Sequence, residues 1–179
     1  MRGALDAANE SIREPGSHDE GLRLSSLREL VDFDGTLDTR FDSVVEMARD
    51  LFGVSGAGLD FVDSDCQVTY SGAGIAEEVI PREGTFGNVA ISRDLILVVP
   101  DADRDPRFAD HTNAAGANRV RFYAGYPIEA PNGQRIGALY IVDLAPREFT
   151  TEDASLLRQL VLRAQSMLWA AQPLARSHR

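Results

Sequence analysis

Asp101, Asp103 and Asp105 stand at the one-three-five spacing that opens a calcium loop. Such a loop needs glycine at its sixth position and a bidentate glutamate at its twelfth; here those places hold Pro106 and Thr112. The aspartates are expected instead to cap backbone amides, with Arg107 pairing to one of them. Cys66 is the single cysteine, and the aspartates around it should not lower its pKa toward a reactive thiolate. His18, His111 and His178 are too scattered for a metal site, and no cofactor is expected. All 18 Lys+Arg residues are arginine, which removes lysine Schiff-base chemistry and the phosphate-binding lysine of a P-loop. Arg121 and Tyr123 alternate onto one strand face, where one would donate to an anion and the other stack on a ligand.

The 179 residues suit one domain with helical or flexible ends. Residues 1–18 are expected to be a mobile arm, residues 19–171 the domain, and residues 172–179 a tail. The net charge of −10 opposes a nucleic-acid or anionic-membrane surface without excluding a local basic pocket. One cysteine allows no internal disulfide, which fits a reducing cytoplasm. No apolar run approaches the roughly 20 residues that span a bilayer.

The elements that must position these residues follow from periodicity. Leu24, Leu27 and Val31 fall at helical spacing within Asp19–Val31. Thr39 suits the N-cap of a second helix, in which Phe41, Val44, Val45, Ala48, Leu51 and Phe52 form one stripe stopped by Gly53. Ala57, Leu59 and Phe61 alternate, Asp63-Ser64-Asp65 turns, and Val68 and Tyr70 return: a hairpin. Gly72 to Gly84 reads as a loop, and Thr85 to Arg93 as a short helix. Leu95–Val99, stopped by Pro100, reads as a strand buried on both faces. Val120–Ile128 alternates, Ala130-Pro131-Asn132-Gly133 turns, and Ile136–Val142 is apolar on both faces, so this second hairpin should hold a central strand. A last helix of about 22 residues starts near Thr150, with more apolar surface than a small sheet can cover. The expected class is α+β: a central antiparallel sheet of five to six strands, N- and C-terminal helices on one face, and a loop and short-helix lid on the other.

This order resembles a GAF domain, similar in fold to PAS domains. The resemblance rests on Leu37-Asp38-Thr39 with Phe41-Asp42, Leu51-Phe52-Gly53-Val54, Val99-Pro100-Asp101-Ala102, Asp105-Pro106-Arg107-Phe108, Arg121 to Gly125, Asn132-Gly133, and Ile136 to Leu139 with Asp143. It covers roughly residues 22–170. It implies a non-enzymatic module of bacterial cytoplasmic signalling that senses a small molecule, or only dimerises, and passes its state through flanking helices to a kinase, cyclase or transcription regulator. With no output domain after Trp169, the protein would act in trans or lack its output here.

Other resemblances are weaker. Asp32-Phe33-Asp34-Gly35-Thr36-Leu37 is similar to the opening of haloacid-dehalogenase phosphatases, but the residues before it suit a helix and their lysine is missing. GAF-fold sulfoxide reductases use several cysteines; here Gly87 follows Thr85-Phe86 and Tyr140 follows Leu139. No Cys-His pair for a bilin and no lysine of the cyclic-nucleotide signature is present.

A ligand pocket is expected between the sheet, the Thr85 helix and the Asp101–Arg119 loop, with Phe86, Asn88, Asp101, Arg107, Phe108, Arg121, Tyr123 and Tyr140 as candidates. The bland alternative has both arginines satisfying nearby aspartates and the aromatics filling core. Leu24, Leu27, Leu156, Met167 and Trp169 are candidates for a homodimer helix face. An enzyme, a phosphatase using Asp32 and Asp34 or a reductase using Cys66, is the remote alternative.

Overall fold

The computed structural model describes residues 17–33, 39–109 and 119–170. Most of the expected arm, residues 34–38, part of the Asp101–Arg119 loop including His111, and the tail lie outside them. Helix α1 (Ser17–Leu30) and helix α2 (Asp42–Phe52) precede the hairpin of β1 (Gly56–Val62) and β2 (Cys66–Ala73). Strand β3 (Val79–Pro81), helix α3 (Phe86–Ile91) and strand β4 (Leu97–Val99) follow. The hairpin of β5 (Phe122–Glu129) and β6 (Arg135–Asp143) leads to helix α4 (Thr151–Ala170).

The six strands form one sheet in the order β3-β2-β1-β6-β5-β4, and every pairing is antiparallel. The expected α+β architecture is therefore present. β1 and β6 meet at the centre, with Leu59 opposite Leu139 and Gly58 opposite Tyr140. β1 is buried at all its positions, so helices must cover one face and a lid the other. On the helix face, Leu27, Phe41, Val44, Val45, Leu157 and Leu168 pack on Leu59, Phe61, Leu139 and Ile141. On the lid face, Phe86, Phe108, Tyr123, Tyr140 and Val142 form a second, smaller core.

Local chemistry explains the element ends. Thr150 and Asp153 exchange hydrogen bonds, Asp153 N to Thr150 Oγ1 at 3.1 Å and Thr150 N to Asp153 Oδ2 at 2.9 Å, a capping box that starts α4. Thr85 Oγ1 accepts from Asn88 N at 3.1 Å and starts α3. In the β5–β6 turn, Gly133 N donates to Ala130 O at 2.9 Å.

Two expectations are corrected. Thr39 does not cap α2: it opens a 3-10 turn, Thr39–Phe41, and the α-helical cap position falls on Phe41 without a side-chain bond. The Gly72–Gly84 stretch contains β3, whose three residues before Arg82 are too few to show a period. β4, expected to be covered on both faces, is so covered, although it stands at the edge of the sheet. Leu97 and Val99 serve the lid-side core while Val98 packs on the helix side, so its continuous apolar run reports two covered faces and not a central place.

Gly137 sets how closely the central strands approach. A Cβ there would lie 2.1 Å from Asp60 O, a backbone atom that cannot swing away. Gly137→Ala is expected to cost about 1–3 kcal/mol of stability. Denaturant unfolding checks this; a loss below about 0.5 kcal/mol would show that the pair of strands has slack.

Candidate functional site

Asp60 projects from the middle of β1 to the lid side and is only 2% exposed. A carboxyl in that position needs partners, because burial penalises its charge. The Tyr140 hydroxyl donates to Asp60 Oδ1 at 2.9 Å, and Gln67 Nε2 donates to Oδ2. Burial still pushes the Asp60 pKa up to about 7, against the opposing hydrogen bonds from Tyr140, Thr69 and Gln67. Burial and the neighbouring Asp60 likewise hold the Tyr123 and Tyr140 hydroxyls well above the ordinary phenol range.

The backbone arranges this cluster. The β1–β2 register shifts between Leu59 and Asp60, with Leu59 opposite Ser71 and Asp60 opposite Thr69. This bulge sends both Tyr70 and Ser71 toward the helices: Tyr70 packs edge-on against Phe41 and Phe61, and Ser71 Oγ donates to Asp42 Oδ1 at 2.7 Å. Thr69 and Gln67 remain beside Asp60. Gly58 and Gly125 leave room for phenol rings: a Cβ at either would lie 2.5 Å from the hydroxyl oxygen of Tyr140 or Tyr123 respectively. The rings of Phe86 and Tyr123 stack at 4.6 Å, and those of Tyr123 and Tyr140 at 5.3 Å.

Above this floor lies a cavity of about 820 Å³. Asp60, Gln67, Thr69, Tyr123 and Tyr140 supply its polar lining. Phe86, Val120 and Val142 form apolar wall, and Gly74, Ile75, Ala76, Glu78 and Ile80 form the side contributed by the β2–β3 connection and β3. Two buried polar atoms of the lining, Gln67 Oε1 and the Tyr123 hydroxyl, find no hydrogen-bond partner among the described residues. Such atoms cost free energy unless a bound molecule or water satisfies them.

Among the sequence candidates, Phe86, Tyr123 and Tyr140 line this cavity. Phe108 lies behind Phe86, with ring centroids 4.4 Å apart. Asn88 Oδ1 accepts from Arg82 Nε at 2.7 Å. Arg121 is turned to Asp101, 2.9 Å away, and to Asp103, 3.1 Å away, while Arg107 pairs with Asp105 at 2.6 Å. The described part of the aspartate loop thus closes on itself, and the β2–β3 connection contributes more of the cavity lining than that loop does. Asp60, Gln67 and Thr69 were missed. Asp60 alternates with Leu59 and Phe61, which reads as a solvent-facing position unless the strand is known to be central. Of the helix-face candidates, Leu27 is fully buried within the chain's own core, and Leu24, Leu156 and Met167 are half-buried. Trp169 is exposed, and its Nε1 donates to Glu129 O at 2.8 Å. Burial pushes the Cys66 thiol up, as do Asp65 and Asp63. Among the described residues no helix is long and apolar enough to cross a membrane.

An antiparallel sheet with a helical layer on one face and a lined cavity on the other defines the class of the domain. The chain belongs to the GAF domain family, a family of signalling modules, whose model matches residues 36–166. A cyclic di-GMP phosphodiesterase from Pseudomonas aeruginosa is 30% identical over 133 residues, which are 74% of this chain and 23% of that protein. This chain therefore spans less than a quarter of that relative's length. The GAF domain of an Acinetobacter phosphoenolpyruvate-protein phosphotransferase superposes with a TM-score of 0.60 at 16% identity, over 82% of this chain and 92% of that one. A free methionine-R-sulfoxide reductase from Neisseria meningitidis, solved with its substrate, superposes with a TM-score of 0.61 at 22% identity, over 88% of this chain and 95% of that one. These findings correct the expectation that the chain is no enzyme. A relative named as a phosphodiesterase and a structural neighbour named as a reductase put enzymes among its kin, so the fold is compatible with catalysis.

Between pH 3.8, its ordinary value, and about 7, folded Asp60 keeps a proton that the unfolded chain has released. This group therefore opposes folding more as pH rises through that window, with the full penalty above it. Asp60→Asn removes the ionisation while keeping the shape. Relative to the native protein, the variant should gain stability steadily from pH 4 to 7 and then level off, by roughly 2–4 kcal/mol in total. Denaturant unfolding of both proteins at several pH values reads this difference; a flat difference would place Asp60 in contact with bulk water.

Proposed function

We propose that this GAF domain senses a small molecule in bacterial cytoplasmic signal transduction, with the Asp60 cavity as the ligand site and α1 and α4 as output helices of a homodimer. The observation that carries this reading is the cavity itself, with Gln67 Oε1 and the Tyr123 hydroxyl buried in its lining and unpaired among the described residues. A filled core would have no use for them.

A route from cavity to α1 supports the output. Phe86 of the cavity wall opens α3, and Asn88 of the same helix accepts from Arg82. Arg82 in turn pairs with Glu20 of α1 at 2.5 Å, and Arg23 joins it from α1 at 2.7 Å. The Arg23 hydrogen bond, with Arg82 assisting, holds the Glu20 carboxyl down to about pKa 2. Arg23 also donates to Val62 O at 2.5 Å, at the end of the strand that carries Asp60. A ligand that shifts α3 or β1 would therefore act on α1 through charged bonds. Exposed Leu22 on α1, and Leu162 and Trp169 seven residues apart on α4, offer apolar surface for a second copy. The similarity to part of a phosphodiesterase supports a place in a signalling protein, with a kinase, cyclase or transcription regulator as output partner.

A thermal-shift screen of cytoplasmic metabolites tests the reading. A ligand present at about 100 times its Kd should raise Tm by roughly 5–10 °C. Ala76→Trp, on the exposed rim of the cavity, should abolish that shift without lowering the melting temperature of the free protein. A screen without a single shift, or one that Ala76→Trp leaves intact, would overturn it. Light scattering at tens of micromolar should give about twice the 19.5 kDa chain mass, falling to one chain in Leu162→Arg with Trp169→Arg; a monomer from the start would remove the dimer.

A further inference from the structure

The polar lining of the cavity is one-sided in charge. Asp60 sits on its floor and Glu78 on its side, and among the described residues no arginine or histidine lines it. The groups facing Asp60 come from each neighbouring strand: Tyr140 from β6, Tyr123 from β5, and the uncharged Gln67 and Thr69 from β2. Helix α3 presents Phe86 and Gly87 on this side, and a Cβ at Gly87 would lie 2.4 Å from Gln67 Oε1. Two arginines of the lid loop are engaged with its aspartates, Arg121 with Asp101 and Asp103, and Arg107 with Asp105. Gln67 Oε1, on a residue 6% exposed, has no hydrogen-bond partner among the described residues.

Resting on the reading of this cavity as the ligand site, we propose that its ligand is a small organic cation, an ammonium, amidinium or guanidinium, whose N–H groups donate to Asp60 and to Gln67 Oε1. An anion entering this cavity would lose its hydration and meet a carboxylate with no basic side chain in compensation. A cation meets the opposite: a buried carboxylate of low local dielectric, one free amide oxygen, and the stacked faces of Phe86, Tyr123 and Tyr140 alongside. The Tyr123 hydroxyl, free to donate or accept, then serves a polar group elsewhere on the ligand.

Binding of this kind is linked to the Asp60 proton. The carboxyl titrates near pH 7, so its charged fraction rises about tenfold between pH 6 and 8. A ligand that stays cationic across that range should bind about tenfold more tightly at pH 8 than at pH 6.

The test is calorimetric titration of the full chain at pH 6, 7 and 8 in about 0.15 M salt, which screens the general attraction of an acidic protein for cations. Three probe sets are used: benzamidine, agmatine and putrescine as cations; acetamide and adenosine as neutral donors; phosphate, acetate and cyclic AMP as anions. The expected result is binding from the cation set, with the tenfold pH dependence. Asp60→Asn should weaken it at least tenfold and flatten the profile. Gln67→Leu should weaken it and move the profile to higher pH, because the hydrogen bond that helps hold the Asp60 carboxyl down is lost, and Ala76→Trp should block it. Cation binding that persists in Asp60→Asn would overturn the proposal, since it would then be surface attraction. Binding of the neutral or anionic set alone, blocked by Ala76→Trp, would overturn the cation and leave the cavity as a sensing site. Failure of all three sets and of the metabolite screen would overturn both readings together.

Discussion

A carboxyl at the centre of a fully buried strand dominates the architecture of the lid face. Asp60 cannot reach bulk water from β1, so its hydrogen bonds must come from neighbouring strands. That requirement explains features that otherwise look unrelated. The bulge opposite Leu59 and Asp60 keeps Thr69 and Gln67 on the carboxyl's side while Tyr70 and Ser71 join the helix-side core. Glycine at 58 and 125 makes room for the phenol rings, and Tyr140 then reaches Asp60 Oδ1. The helix face has no such requirement and is filled by aliphatic side chains and a few aromatic rings.

The two faces also divide the work of stability and response. The helix-face core is large and contains every buried residue of α1, α2 and α4 that is apolar, so it supplies most of the burial free energy. The lid face is held by fewer apolar contacts and by ion pairs that close short loops, such as Arg107 with Asp105. Structure of that kind opens locally at lower cost than a core does. The Glu20–Arg82–Asn88 chain crosses from the lid to α1, and it is the described polar link between the compliant side and the rigid one.

Periodicity made the helix face legible and left the lid face dark, for a physical reason. Phe41, Val44, Val45 and Ala48 advertise a helix stripe because one apolar face against one polar face has a period. The turn at Ala130–Gly133, the central place of Ile136–Val142 and the short helix after Thr85 were readable from local chemistry alone. Asp60 was not, because alternation with Leu59 and Phe61 is the same pattern whether the second face meets water or a cavity. Only the register of β6 against β1 decides between them, and register is a long-range property. Arg121 drew attention as an anion ligand because it shares a strand face with Tyr123; the structure turns it toward Asp101, while Arg107 pairs with an aspartate as its place in the loop suggested. β4 shows the same limit: its run reported two covered faces correctly, but a doubly covered edge strand and an interior strand share one hydrophobic signature, so its place at the edge was not readable.

The composition gains meaning from that arrangement. A chain of net charge −10 whose basic residues are all arginine has fewer cations than carboxylates, and the fold ties several of them to its own acidic groups. Arg121 serves Asp101, Arg107 serves Asp105, Arg82 serves Glu20, Arg147 serves Asp143 and Arg135 serves Asp94. Arginine suits this use because its planar fork can engage both carboxylate oxygens, as Arg121 does with Asp101 Oδ1 at 2.9 Å and Oδ2 at 3.0 Å. Each such pair ties two parts of the chain together, while Asp60 is left to burial and to its neutral hydrogen-bond partners. Among the described residues the arginines of the lid are engaged in bracing its loops, and the charged side chains that remain in the cavity lining, Asp60 and Glu78, are acidic.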